Sequence, residues 1–576
     1  MIMAAGGGTV RHTLHRLSDK KERKQYIMKT ENRKAKRRTE RYSLSEIIGT
    51  RRGGFYDGCA YEIRDLVPQG GSFRLRNGTL EAFTLDSDVK FSGSVNNNGS
   101  ITGYISEANL LYELHGINDV GDASEARYVS DGEIDADSTF FFTLGGSTYM
   151  MTSGRMCKRN GTDFEDFDSF EALIDAELRG GALSEGECDR ATNRFSGVMA
   201  ARMTVDADCS SIVLERAPSE VYRVTVNGTE IEDHSLSGGT VTVGLDLYAG
   251  DELCIYARYP GYSLSSLGLI GGSGELGGRT YLYSEGAMYR ISGHGGALFC
   301  SAPVLTLPEG GMKRAFFCSG TLVLAIGEGL CVFDEEDGTL RTIGGDGAQS
   351  ASSICPCGGF AFVASDGYLT RLAISGSGES ETLQTVTVKD IFDYGMRGRI
   401  LGMAYLRADR SLWTLTESEG GNRIFVLDVD SGIWLEVSCF DSPTAVVDCG
   451  NCIAVVCGGT VYYSSPKLSG DERGDERHPI SGTIVFNPDD LGDPFAKKRI
   501  GTLEIKVSEG ITEIRAELKT DVGREFSARI EKEYGEAAEV LLRPSLGLFR
   551  HVSASIGVKG YGQAALCGAA LDVRSK

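Results

Sequence analysis

The side chains able to do acid–base, nucleophilic or metal chemistry are scattered along this sequence. Its seven histidines stand at positions 12, 15, 115, 234, 294, 478 and 551, with no H-E-x-x-H and none at ligand spacing from a cysteine pair. Two close cysteine pairs occur, Cys355 with Cys357 and Cys449 with Cys452. Each could be a redox pair or half of a zinc site, but zinc needs four ligands, and Gly450-Asn451 between apolar runs reads as a hairpin turn. We read both pairs as structural thiols. The cysteines number fifteen, and Cys254, Cys300, Cys318, Cys331 and Cys457 sit in apolar runs, where cysteine acts as a small hydrophobe. Two acidic clusters, Asp334 to Asp337 and Asp131, Glu133, Asp135 and Asp137, lack the glycine and terminal glutamate of a calcium hand and read as solvated turns. Gly272, Gly274 and Gly277 match G-x-G-x-x-G, yet a hairpin pattern follows where a dinucleotide site needs a helix, so the stretch reads as a flexible inter-domain loop. There is no phosphate loop and no G-x-S-x-G elbow. These patterns assign no catalytic residue, metal or cofactor; a glycosidase-like carboxylate pair stays open, because its spacing is spatial.

Charge is more informative. From Arg11 to Arg41 there are 13 Lys/Arg against 4 Asp/Glu, whereas the whole chain carries −21. A basic arm therefore precedes an acidic body. Lys20, Lys21, Arg23, Lys24, Arg33, Lys34, Lys36, Arg37 and Arg38 are the candidate contacts to DNA or to an acidic neighbouring subunit. An untethered leader is the competing reading, since a start at Met28 would remove half the arm. The acidic body argues against a grip on a nucleic-acid backbone. No apolar run approaches the roughly twenty residues of a membrane span, and the amino terminus lacks the order of a signal peptide, so residence in the cytoplasm until assembly or lysis is expected.

The elements behind these residues are mostly strands. Ser411 to Val437 reads as two hairpins in succession, with Trp413, Phe425 and Trp434 as core residues, and four such strands make one propeller blade. Turn glycines recur at Gly286, Gly329, Gly367, Gly421 and Gly459, spaced by 38 to 54 residues, with an earlier copy at Gly146. Four Asn-Gly-Thr/Ser triplets, at Asn77, Asn98, Asn160 and Asn227, read as type I′ hairpin turns. The predicted fold is all-β: a propeller of about six blades, an inserted immunoglobulin-like sandwich and a C-terminal sandwich or jelly-roll-like domain. Expected boundaries are a basic arm over 1–50, first propeller strands over 51–153, an insert over 154–262 opening on a helix at Phe164 to Leu178, blades over 263–485, and a terminal β domain over 486–576.

Three stretches carry a family resemblance. Asp65-Leu66-Val67-Pro68 with Arg74-Leu75-Arg76-Asn77-Gly78, the propeller repeat, and Asp490-Leu491-Gly492 running into Lys497-Lys498 resemble, in that order, the β-propeller proteins of bacteriophage tails and head–tail junctions, of the stabilisation or nozzle type. The resemblance implies a non-enzymatic virion protein, made in the host bacterial cytoplasm, that forms a ring with copies of itself. It would meet other tail, connector or portal proteins and line or seal a path for double-stranded DNA, without entering a membrane. Two other readings remain: a glycan-binding or glycan-cleaving propeller at a phage or cell surface, and an intracellular kelch-like scaffold.

Overall fold

The computed structural model describes residues 39–43 and 61–575, apart from 70, 98, 109, 118–122, 130–133, 136–138, 162, 308–310, 328, 344–346, 366–367, 376–381, 389–398, 419, 490 and 492–493. Seven four-stranded antiparallel blades are present among them. Their innermost strands, in ring order, are Val89–Asn97, Phe140–Leu144, Leu269–Leu276, Met312–Cys318, Ile354–Pro356, Ile400–Leu406 and Pro443–Asp448. Each packs beside the next, and the last returns to the first, so the propeller is closed. Closure is not sequential: blade 7 takes three strands from Pro443–Asp448, Ile453–Cys457 and Thr460–Ser465, and its fourth, Gly78–Thr84, comes from the far end of the chain. Pairing the two ends within one blade protects the edges that a linear array would leave open.

Trp413, Phe425 and Trp434 are 3, 1 and 2% exposed. Alternation along blade 6 divides them: Trp413 and Val426 face blade 7, while Phe425, Leu427 and Trp434 face blade 5. The glycine-rich stretch read as an inter-domain loop is instead the inner strand of blade 3. A Cβ on Gly271 would lie 2.3 Å from the hydroxyl of Tyr283, its register partner, so glycine at this position makes room for the tyrosine ring. Of the Asn-Gly pairs, only Asn227-Gly228 has both φ angles positive among the described residues, at 52° and 78°, as type I′ requires.

Blade 2 runs on to Asp163–Asp166, so the insert occupies 167–268. Its two sheets, of five and four strands, pack as a sandwich around Met199, Ile212, Val224, Val241 and Ile255. The helix expected at Phe164 to Leu178 does not form. Phe164 is in the outer strand of blade 2, and Phe167 and Phe170 lead onward to Phe195 with ring centroids 5.5 and 5.2 Å apart. The apolar spacing there serves an aromatic seam against blades 2 and 3, which local periodicity cannot distinguish from a helix face. Among the described residues the single α-helix, α1, is Glu185–Ala191, opened by a Ser184–Glu187 capping box.

The terminal module begins at Ile480 and recruits the amino-terminal strands Tyr61–Arg64, Leu66–Gln69 and Ser72–Leu75, which therefore do not belong to the propeller. Tyr61–Arg64 pairs with both Ile480–Asp489 and Ile433–Val437, the outer strand of blade 6, fusing one face of the module and blade 6 into a nine-stranded sheet. A single apolar core runs from Trp413 and Val455 through Ile63 and Leu75 to Ile505 and Ile556.

Candidate functional site

The nine basic residues singled out as contacts, Lys20, Lys21, Arg23, Lys24, Arg33, Lys34, Lys36, Arg37 and Arg38, lie outside the described residues, as do Asp131, Glu133 and Asp137. Asp334 accepts the backbone N–H groups of Glu336 and Asp337, a turn device, and Glu335 pairs with Arg279 and Arg290 of blade 3. Cys449 and Cys452 are buried, and burial pushes the Cys449 thiol up, away from the reactive thiolate. Between them, Asn451 donates to the Ile117 carbonyl of blade 1 at 2.7 Å, so this turn holds blade 7 to blade 1. Burial likewise raises the Cys357 thiol. Among the described residues no group of three or more His, Cys, Asp or Glu is placed to hold a metal ion.

The densest polar constellation sits where propeller and terminal module join. Arg76, 4% exposed, donates from Nε to Asp65 Oδ1 at 2.6 Å and from Nη1 and Nη2 to the two Asp471 oxygens at 2.8 and 2.7 Å. Asp65 also accepts from Ser438, in the chain leaving blade 6, and Asp471 from the Thr79 hydroxyl at 2.8 Å. Beside them, Asn77 donates to Asp409 at 2.6 Å. Through these two carboxylates the guanidinium is linked to Ser438 at the end of blade 6 and to Thr79 in the closing strand of blade 7. Burial works to raise the Asp471 carboxyl, but Arg76 and Thr79 outweigh it and hold the group below the usual carboxylate range. A Cβ on Gly78 would stand 2.2 Å from the Gly470 carbonyl, so here the two backbones touch. The Arg74-to-Gly78 stretch is therefore a buried lock. Its reading as a hairpin turn fails because Asn77 pairs across the molecule, an interaction with no local signal.

A second lock seats the insert. Buried Asn193 donates to the Leu298 carbonyl at 2.7 Å and to the Phe170 carbonyl, and accepts from the Cys300 and Phe195 N–H groups, each at 3.1 Å. Two of these bonds reach blade 3 and two stay within the insert's own stem, so the amide is fully used in seating the one on the other. Nearby, Arg216 lies over Tyr259 and Tyr262, at 4.5 and 5.2 Å, and donates to Asp189 at 2.8 Å. On another sheet surface of the insert, Tyr222 and Tyr256 stand 6.2 Å apart, with Arg258 and Arg223 over their rings at 5.7 and 5.1 Å. Burial and the neighbouring Glu171 push the Tyr222 hydroxyl up to about 12, so it remains a neutral donor. The sequence reading missed both clusters, since their members lie far apart along the chain.

At the end of the inner strand of blade 7, burial raises the Asp448 carboxyl to about 6, while the Gly450 N–H, at 2.7 Å, and Arg407 pull it down. The Cys357 and Cys449 thiols that feel its charge are themselves pushed up by burial.

No protein-family model and no curated protein matches this sequence. Solved structures similar in shape include the extracellular domain of BT4673 from B. thetaiotaomicron, with a TM-score of 0.38 at 10% identity, covering 84% of this chain and 61% of that domain. Virginiamycin B lyase from Staphylococcus aureus gives 0.35 at 11% identity over 67% of this chain and 98% of the lyase. The β-propeller domain of Swd1 from Myceliophteria thermophila gives 0.35 at 8% over 70% and 99%. This chain thus spans about three fifths of the BT4673 domain. An all-β propeller carrying extra β domains describes the molecule.

Proposed function

We propose that this chain is a non-enzymatic structural protein of a phage particle, a ring-forming component of the tail or head–tail junction that forms or seals the DNA exit path. The supporting observation is the rigid fixing of two β modules to a closed propeller, the insert between blades 2 and 3 and the terminal module on blades 6 and 7. Continuous sheet and a shared core fix the terminal module, and the Asn193 lock with the aromatic seam fixes the insert. A body of that kind suits side-by-side packing against copies of itself and against tail, connector or portal proteins. The acidic body lets DNA pass without phosphate contacts, and the basic arm supplies the reach to DNA or to an acidic neighbour. The site of action on this reading is the virion.

Electron microscopy of the purified protein, alone and mixed with particle or tail fractions from the same source, tests the reading. Closed rings or added density at the tail are expected; a lone monomer that ignores the particles overturns it. One alternative is glycan binding by the insert at the Tyr222–Tyr256 pair, where a sugar would displace Arg258 and Arg223 from the rings. Binding on an oligosaccharide array that is lost in Tyr256→Ala would favour that alternative.

A further inference from the structure

The insert is strongly acidic. Residues 167–268 hold 17 Asp/Glu and seven Arg, with no Lys. Its strand Val198–Thr204 leaves the stem beside Asn193 and Gly197, and Glu252–Arg258 runs back to it, so the loops 205–208 and 248–251 form the far tip. That tip is preorganised. Gly250 donates to the Val205 carbonyl at 2.8 Å, Ala249 to Asp208 at 3.0 Å, and Tyr248 N–H to Asp251 at 2.8 Å. Backbone donors hold the Asp206 and Asp251 carboxyls below the usual range, so both stay charged. In the middle stands Tyr248, 60% exposed, an aromatic ring among carboxylates.

The terminal module is different. Residues 480–576 hold 14 Asp/Glu and 14 Lys/Arg, yet one end of the module is basic and apolar. There Lys498 and Phe549 exchange backbone hydrogen bonds at 2.7 and 3.0 Å, Asp521 N–H donates to the His551 carbonyl at 3.1 Å, and Arg524 to the Leu546 carbonyl at 3.3 Å. These bonds lace three segments into one tip carrying Phe495, Val522 and Leu548, which are 87, 54 and 39% exposed. Lys497, Arg499, Arg524 and Arg550 surround them and are exposed as well. Large apolar side chains exposed beside a surplus of basic residues, with Asp521 accepting the Arg550 N–H among them, are what an interface core and its rim look like before docking.

The two tips belong to modules attached three to four blades apart in a ring of seven, on opposite flanks. Complementary patches on opposite flanks of one chain make a heterologous contact, which closes into a ring when the rotation allows. We propose that the apolar, basic tip of the terminal module docks on the acidic, Tyr248-bearing tip of the insert of a second copy, head to tail. This rests on the ring reading above and names the surfaces that build it. Opposite charge steers the encounter, and Phe495 and Tyr248 supply the desolvated contact.

Two variants and their mixture test it by light scattering, with circular dichroism to verify folding. Phe495→Asp spoils the terminal tip and leaves the insert tip whole; Tyr248→Ala does the reverse. The expected result is higher-order species for the natural chain, monomers for each variant alone, and a one-to-one dimer on mixing, weakened as salt rises. Variants that assemble like the natural chain would overturn the tip contact and leave the ring role standing. Monomeric variants that fail to dimerise on mixing would overturn the head-to-tail geometry. A natural chain that stays monomeric even with particle fractions would overturn this contact and the ring role together.

Discussion

Arg76 illustrates how one side chain can hold a multi-part fold. Its guanidinium makes four hydrogen bonds, to the carboxylates of Asp65 and Asp471 and to the Asn77 carbonyl. Removing one partner of a buried ion pair leaves uncompensated charge and costs about 3–5 kcal/mol. Arg76→Ala is therefore expected to lower the denaturation midpoint sharply, and Arg76→Lys to recover little, because an ammonium cannot make the forked contact. Asp448 should act in the opposite sense. Its folded carboxyl, at about 6, lies above the ordinary 3.8, so the native state binds the proton more tightly and stability falls as pH rises through that window. Asp448→Asn keeps the oxygen that accepts from Gly450 and removes the cost of burying charge. At pH 7 it should stabilise the protein by on the order of 2 kcal/mol, with the gain vanishing below about pH 4. Unfolding curves at pH 4 and pH 7 check this; an equal effect at both would sink it.

Between elements, the joints are carried by a few positions that no local pattern marks. Gly78→Ala would drive a Cβ into the Gly470 backbone, so the closing strand must shift away from Thr460–Ser465. Faster hydrogen exchange across blade 7, with blades 3 and 4 unchanged, is the expected signature. Asn193→Ala strips the stem of its bonds to Leu298 and Cys300, leaving their buried backbone groups unsatisfied at a cost of about 1–3 kcal/mol each. Limited proteolysis should then cut around residues 167–197 and release the insert early, whereas the natural chain resists. Such results would locate the rigidity of the molecule in its joints.

Viewed whole, the molecule has two regions of unequal coupling. The terminal module shares one core with blades 6 and 7, while the insert keeps its own. Truncation after residue 479 should strip the partner surface from Ile63, Leu66, Leu75 and Trp413 and leave the propeller insoluble or unfolded. Excising 174–259 with a short linker should leave a folded propeller, since the insert lies wholly between the outer strand of blade 2 and the inner strand of blade 3 and buries its own core. Thermal unfolding of the natural chain is expected to show the propeller and terminal module melting together and the insert as a separate transition.

Much of this architecture is legible in one dimension. Alternating apolar residues and turn glycines specify strands and hairpins because side chains on a strand alternate faces and a tight turn needs particular φ values. The blade centred on Trp413 and Trp434, the all-β class and the insert before Gly286 follow from that. The blade count does not follow so directly: blade 1 turns between its second and third strands at Ala108, with φ of 47°, and so carries no glycine to mark it. The glycine-rich inner strand of blade 3, the aromatic seam at Phe167 and Phe170, the recruitment of 61–75 into the terminal module and the pairing of Gly78–Thr84 with Thr460–Ser465 were decided by tertiary structure alone. Each depends on which distant surface lies opposite. A local pattern records that a face is apolar or a charge is present; only the closed ring determines what meets it.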